Sequence, residues 1–316
     1  MTPVEIVASA PARVDLAGGW TDVAPYTTEV GGAVCNVAIE LRAIATLTPS
    51  DISAPPTDAL LRAAWQRAGN PPVTVRLHST IPIGSGLGGS SAAGVALAAA
   101  FNAWNGVTLD ADALAELSRS TETETLGLAG GCQDHYAAAH GGALLLRCEA
   151  TTTATPVPMR DATIAAFEHR ALIAYTGESR MSSRTITAVL DAYRAGESQT
   201  CAALATMAAL AVDMAAALRD GDLDHLGALV ARQWTAQRAL HPTISTPLID
   251  RLVDDVMHAG ALGAKALGAS GGGCVLVIAR EDCVDAVRSA LEQHSSLLPL
   301  RVARSGVQTH VTGRAH

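Results

Sequence analysis

The chain has 316 residues, 49% of them hydrophobic and only 3% aromatic, with 22 Lys and Arg against 30 Asp and Glu, a net charge of −8. That length suits two domains or one large one. Charged residues at 16% are too few for a disordered chain, and the acidic balance argues against a nucleic-acid-binding surface. The core must be built from Ala, Val and Leu.

In chain order, residues 3–17 alternate weakly and predict a strand, followed by a turn at Gly18 and Gly19. A second strand is expected over about 33–47 and a helix over 58–69, with Pro71 and Pro72 breaking the chain before a strand at 73–77. Next comes IPIGSGLGGSSAAG, residues 81–94, which opens a helix running to Trp104. Gly84, Gly86, Gly88 and Gly89 let backbone N–H groups close around an anion, and the following helix points its positive end into the same space. Ser90 and Ser91 add hydroxyls. The stretch reads as a polyphosphate cradle, although it lacks the Lys of a Walker A loop. It also matches GxGxxG, but Ser79, Thr80 and Pro82 interrupt the direct strand approach that a dinucleotide loop requires.

A further helix is expected over about 110–126, with Glu122 and Glu124 in its last turn, where the helix dipole disfavours carboxylates. They read either as a solvated acidic end or as a pair compensated by a metal ion. The next helix starts near Gly131 and carries Asp134 in its first turn, where the dipole keeps it ionised. Strands are expected at about 143–146 and 171–175, helices over 183–195 and 201–239, a turn between Pro242 and Pro247, and a helix to 259. The Gly-rich run 268–273 precedes a strand at 274–278; a helix at 282–293 and a strand at 299–304 close the chain. The fold class is α+β.

Cys35, Cys132, Cys148, Cys201, Cys274 and Cys283 show no zinc spacing and read as buried free thiols, in keeping with a cytoplasmic location. No signal peptide is evident, and no uncharged apolar run reaches about 18 residues, so no membrane span is expected. His135 and His140, five apart, do not share a helix face for zinc. Gly268-x-Ser270-x-Gly272 matches a hydrolase elbow, but helix–loop–strand is the wrong order for a nucleophile. Lys265 is the one lysine among 21 arginines; it is either a required point charge or drift. The phosphate cradle, the acidic pair, Asp134 and Arg13 together suit phosphoryl transfer to an alcohol.

Three motifs, APARVDLAGGWTD (10–22), IPIGSGLGGSSAAG (81–94) and LGASGGGC (267–274), resemble those of the GHMP small-molecule kinases in family order. GGCQDHYAAAHGG (130–142) and YTGESR (175–180) are similar to the sugar 1-kinase branch, heptose 7-phosphate kinases and the kinase part of fucokinases. The resemblance implies a two-domain GHMP fold. Residues 1–178 would form a unit like ribosomal protein S5 domain 2, and 179–316 a ferredoxin-like α/β plait with extra helices. It implies ATP held by Pro82, Gly84, Ser85, Gly86, Leu87, Gly88, Gly89, Ser90 and Ser91, and Mg²⁺ held by Ser90 and a glutamate. Glu122 is preferred over Glu124 for that ligand. Asp134 would be the base and Arg13 its electrostatic partner. Trp20, Thr21, Asp22, Gly177, Arg180, Gly271 and Gly272 would line the acceptor. Gly89 stands where the family commonly has Ser or Thr, Ser270 where it usually has Gly, and Trp20 where heptose kinases usually have a third Gly. The expected reaction is transfer to the C1 or equivalent hydroxyl of a sugar or cyclitol, first choice one already phosphorylated, such as a heptose or C7-cyclitol 7-phosphate. A fucokinase-like free-sugar kinase is the near alternative; a nucleotide-dependent oxidoreductase or a non-catalytic sugar sensor are the distant ones. The partner expected is the small-molecule acceptor, with no nucleic acid and no membrane, on a monomer or homodimer.

Overall fold

The computed structural model describes residues 5–51, 54–127, 130–178 and 183–313. β1 (Glu5–Ala17) is followed by the short α1 (Tyr26–Glu29) and by β2 (Gly32–Pro49), α2 (Ala59–Arg67), β3 (Val73–Ser79) and α3 (Gly89–Trp104). Then come α4 (Ala111–Ser120), α5 (Gln133–His140), β4 (Ala143–Cys148), β5 (Thr152–Val157), α6 (Asp161–Arg170) and β6 (Ala171–Tyr175). The remainder is α7 (Ser183–Arg194), α8 (Ser198–Asp220), α9 (Leu223–Arg238), α10 (Pro247–His258), β7 (Ala261–Ala266), β8 (Cys274–Ala279), α11 (Val284–Glu292), β9 (Ser296–Leu298) and β10 (Gln308–Thr312).

Two antiparallel sheets organise these elements. The first has the order β10-β1-β2-β4-β5, with β3 also pairing β2; the second has the order β7-β8-β6-β9. β1 and β2 are long because their Val, Ile and Ala alternation is buried on the helix side: Ala8, Ala10, Val14, Leu16, Val37, Ile39, Ala43 and Ala45 are wholly or almost wholly buried. Small Ala side chains let α3, whose residues Ala92–Phe101 are buried, lie close against β1 and β2. α8 packs on the same strands and on α9. By length and composition α8 could cross a membrane, but half of its most apolar window is buried in the fold, and Asp213 lies within it.

The expected boundary at 178/179 does not coincide with a division between the sheets. β6, which precedes it, lies between β8 and β9 in the second sheet, and β10 returns to the edge of the first. The strand expected at 299–304 is instead the short β9 followed by an isolated bridge from Val302 to Ile39. The expected helix over 201–239 is two helices, broken at Gly221, which takes the left-handed C-cap of α8. β5, α6, β7 and β10 were not anticipated. Every strand pair among the described residues is antiparallel, so the parallel sheet that a dinucleotide-binding reading needs is missing there.

Candidate active site

The two glycine-rich runs meet face to face. In the first, Gly84, Gly86 and Gly88 all have positive φ, at 68°, 73° and 75°, where a glycine escapes the clash that a Cβ would meet. Gly88 is the N-cap of α3 and makes no side-chain cap, so the first N–H groups of α3 have no partner from that cap and are left to face a ligand, as an anion site requires. Ser85 and Leu87 are buried and serve as anchors rather than as walls. The Ser85 carbonyl accepts from Cys274 N at 2.9 Å, and the Leu87 carbonyl from Arg13 N at 3.1 Å. Pro82 closes the loop entrance, its carbonyl accepting from Ser85 N. Gly89 lacks a side chain where Ile81 packs, since a Cβ there would lie 3.2 Å from Ile81 Cγ2.

The second run, residues 267–273, joins β7 to β8. A Cβ on Gly86 would lie 2.7 Å from the Leu267 carbonyl oxygen, so the two backbones touch. Ser270 holds a left-handed φ of 69°. Its hydroxyl accepts from Gln237 Nε2 at 3.0 Å, a bond that glycine could not make. That buried position and its place between two strands agree with the rejection of Ser270 as a nucleophile. Gly271 N donates to the Ile244 carbonyl and Gly273 N to the Glu178 carbonyl. Gly272 abuts the Glu178 backbone, and Gly177 is exposed just after β6. None of Gly177, Gly271 and Gly272 lines the cavity described next.

Between the runs lies a cavity of about 240 Å³ lined by Arg13, Asp15, Gly19, Trp20, Asp22, Gly88, Gly131, Gln133, Asp134, Ile186 and Gly268 among others. Arg13, on β1, donates from Nε to Asp134 Oδ1 at 2.8 Å and from Nη1 to the Gly86 carbonyl at 2.6 Å. Its Nη2 lies 2.6 Å from the same Oδ1. The guanidinium thus ties the phosphate loop to the first turn of α5, and Oδ2 of Asp134 accepts no hydrogen bond among the described residues. The carboxylate is 25% exposed, its guanidinium partner 4%. A carboxylate held on one oxygen and open on the other can take a proton from a hydroxyl.

Behind this pair sits another. Lys265 on β7 is wholly buried, 3.0 Å from Asp15 Oδ2, and donates to the Asp15 carbonyl at 2.9 Å. Burial pulls its pKa down while Asp15 pushes it back up. Lys265 is therefore a buried point charge whose contacts join the two sheets. Trp20 has φ of 82°, a left-handed conformation that costs a non-glycine residue about 1–2 kcal/mol and that glycine would adopt freely. Asp22 is buried, accepts from Gln133 N at 3.1 Å, and is pushed by burial up to about 6. Gly131 has no side chain because a Cβ would fall on the Asp22 carboxylate. Thr21 departs from expectation. It is wholly buried, its hydroxyl is shared among the Gly18 and Ala33 carbonyls and Ala33 N, and it shapes the turn without reaching the cavity.

The acidic end of α4 is not α-helical. Residues Thr121–Thr125 form a π-helical turn, so regular α-helical spacing from Leu117 does not decide which glutamate faces inward. Glu124 is exposed. Glu122 instead points inward, accepting from Ser91 Oγ at 3.3 Å, and burial together with Asp134 raises its pKa. Ser91 is buried and Ser90 exposed. His135, also unforeseen, lies against both Glu122 and Ser118; burial and Arg119 lower its pKa to about 3, so the ring is neutral. His140 pairs with Asp112. Arg180 lies outside the described residues. A second cavity of about 710 Å³ adjoins the first across Asp22, Val23, Gly130 and Gly131; its charged groups are Asp22, Glu116, Arg119 and Glu149.

A glycine-rich loop at a helix start, with a carboxylate–guanidinium pair fixed beside it, is the arrangement a phosphoryl transferase needs. The chain belongs to the GHMP kinase family: residues 58–142 match the GHMP kinases N terminal domain and residues 214–296 the GHMP kinases C terminal domain. Its enzyme class is accordingly that of an ATP-dependent small-molecule kinase. It is 27% identical to an L-fucokinase/L-fucose-1-P guanylyltransferase of Bacteroides fragilis over 86% of this chain, which spans only 34% of that relative. It is 26% identical to a D-glycero-alpha-D-manno-heptose 7-phosphate kinase of Campylobacter jejuni, covering 83% of this chain and 86% of the relative. The fold matches the crystal structure of a D-glycero-D-manno-heptose 1-phosphate kinase from Bacteroides thetaiotaomicron with a TM-score of 0.78 at 22% identity, over 96% of this chain and 98% of the other.

Proposed function

We propose that the protein transfers the γ-phosphoryl group of ATP to the C1, or equivalent, hydroxyl of a sugar or sugar-like cyclitol. The observation that carries this reading is the Arg13–Asp134 pair, fixed on one carboxylate oxygen and open on the other beside the phosphate loop. Asp134 accepts the proton of the attacking hydroxyl, while Arg13 keeps the carboxylate oriented and offsets charge near the transferred group. The α3 start and the positive-φ glycines hold the phosphates. Trp20 and Asp22 face the acceptor.

Glu122 and a loop hydroxyl are the groups that would hold Mg²⁺: Ser90 is the expected hydroxyl and is exposed, while the one that meets the Glu122 carboxylate is Ser91. Glu122 is an inward carboxylate strained by burial and by Asp134, which a cation would relieve. One or two protein oxygens plus substrate phosphates is the usual magnesium arrangement. Bound there, the ion would neutralise charge on the nucleotide phosphates.

A phosphorylated acceptor, such as a heptose 7-phosphate or C7-cyclitol 7-phosphate, is supported by the similarity to a heptose 7-phosphate kinase along most of both chains and by Arg180 as the candidate phosphate partner. A free-sugar, fucokinase-like acceptor is supported by the adjoining cavity. Its guanidinium Arg119 is already paired with Glu116 at 2.7 Å, and Asp22 and Glu149 add further negative charge. ATP consumption measured against a panel of free and phosphorylated hexoses, heptoses and C7 cyclitols separates the two. Phosphorus NMR of the product reads the position. No turnover with any member, despite ATP binding, would sink the reading.

A further inference from the structure

The first turn of α5 carries a second polar side chain beside Asp134. His135 is buried, and its ring bridges two groups of the preceding helical segment. Nδ1 lies 2.9 Å from Ser118 Oγ on α4, and Nε2 lies 3.4 Å from Glu122 Oε2 on the π-helical turn. The same Glu122 oxygen accepts from Ser91. The Nδ1 contact with Ser118 is a hydrogen bond, whereas Nε2 and the Glu122 carboxylate meet as a close polar contact without hydrogen-bond alignment; a proton on Nε2 would face a carboxylate that can only accept. Ser118 is itself buried, and Gly94 of α3 leaves the room that its hydroxyl occupies. The row Ser118, His135, Glu122, Ser91 therefore spans α4, α5, the π-helical turn and α3.

We propose that His135 is a positioning residue, holding the Glu122 carboxylate in the orientation in which it serves the nucleotide's Mg²⁺, with Ser118 fixing the ring. The inference rests on the reading of Glu122 as the cation ligand. Without the ring, Glu122 would lose the polar wall on that side and would keep the Ser91 hydroxyl as its one hydrogen-bond donor among the described residues, set against the repulsion of Asp134. Groups that orient a ligating side chain from behind commonly matter to metal affinity by 10–100-fold. A histidine that merely packs α5 against α4 would affect stability and leave cation binding alone, so the two roles differ in what they move.

The test uses the full chain with a non-hydrolysable ATP analogue. Mn²⁺ binding is followed by electron paramagnetic resonance, and half-saturating Mg²⁺ by steady-state kinetics. His135→Ala is expected to weaken Mn²⁺ binding about tenfold, with kcat at saturating Mg²⁺ falling by less than the Mg²⁺ requirement rises. Ser118→Ala, a milder change on the far side of the ring, should weaken it several-fold, and His135→Gln, which keeps a donor, should recover part of the loss. In a Glu122→Gln background His135→Ala should add nothing. The proposal is overturned if His135→Ala and Ser118→Ala lower the melting temperature while Mn²⁺ affinity stays within twofold. It is equally overturned if the losses of His135→Ala and Glu122→Gln multiply. If Glu122→Gln itself leaves Mn²⁺ affinity unchanged, the ligand assignment fails, and this inference with it.

Discussion

Two aspartate–cation pairs anchored on β1 have nearly the same chemistry and different surroundings. Arg13–Asp134 opens on the cavity, with the carboxylate 25% exposed and one oxygen unengaged. Asp15–Lys265 lies deeper, at 4% and 0% exposure: Asp15 borders the floor of the same cavity, but its lysine is enclosed and further held by a backbone carbonyl. The first pair joins the phosphate loop to α5, and the second joins β1 to β7 and so one sheet to the other. A planar guanidinium suits the first because it reaches a carboxylate and a carbonyl at once; a compact ammonium suits the second because it gathers oxygens around a point. Under the function proposed above, access by a ligand, and not the ion pair itself, separates the pair that would act in catalysis from the one that holds the fold.

The largest effect is expected at the open pair. Asp134→Asn keeps shape and removes charge, and should lower kcat by two orders of magnitude or more while ATP binding persists. Activity within a few-fold of the parent, with binding measured by thermal shift, would make Asp134 structural. The deeper pair should respond in stability. Lys265→Met strands a buried carboxylate and should cost about 3–5 kcal/mol in urea unfolding. Adding Asp15→Leu should restore most of that loss, and failure of the double variant to recover would mean that Lys265 acts beyond its partner.

Asp22 sharpens the comparison because it is a buried carboxylate without a cation. Its pKa is raised to about 6 by burial, so the folded state favours the protonated form. The stability it contributes is fully present below its unfolded value near 3.8 and is lost as pH rises through about 6. Asp22→Asn should therefore gain on the parent from pH 4 to pH 7, with a melting-temperature gap that widens by a few degrees and then levels. A gap independent of pH would show that the carboxylate is not being held neutral. The smallest effect is expected from the exposed member of the acidic pair. Glu124→Gln should leave the Mg²⁺ requirement within about twofold, and a larger shift there than for Glu122→Gln would reassign the ligand.

Much of the site was legible because its chemistry is local. Glycines at 84, 86 and 88 ahead of an Ala-rich helix announce an anion cradle, and the first-turn placement of Asp134 follows from Gly131 and the apolar run after it. What the sequence hid depends on contacts between distant segments. The role of Lys265 required Asp15, 250 residues away, to be seen beneath it. Thr21 sits in a recognisable motif, yet its burial is decided by Ala33. Glu122 could not be separated from Glu124 by helical phase because the backbone leaves the α-helix there, and TETET carries no breaker to signal a π turn. His135 is weighed in the sequence only with His140 as a zinc pair, because its neighbours Ser118 and Glu122 lie on other segments. Among the strands, β10 was missed because every residue in it is exposed; an edge strand of Gln, Thr and His offers no apolar alternation.

The path of the chain between the sheets bears on how the protein can be dissected. β6 is laid into the second sheet before α7 begins, and β10 comes back to pair with β1, Glu5 opposite Thr312. Cutting between 178 and 183 would leave the strand between β8 and β9 on the wrong fragment, and would send β10 away from its own edge. Each piece would then expose an open ladder that only the other can fill. The two halves are thus stitched rather than strung, so a protease nick in that segment should yield a noncovalent complex that stays together, and neither fragment should fold when expressed alone.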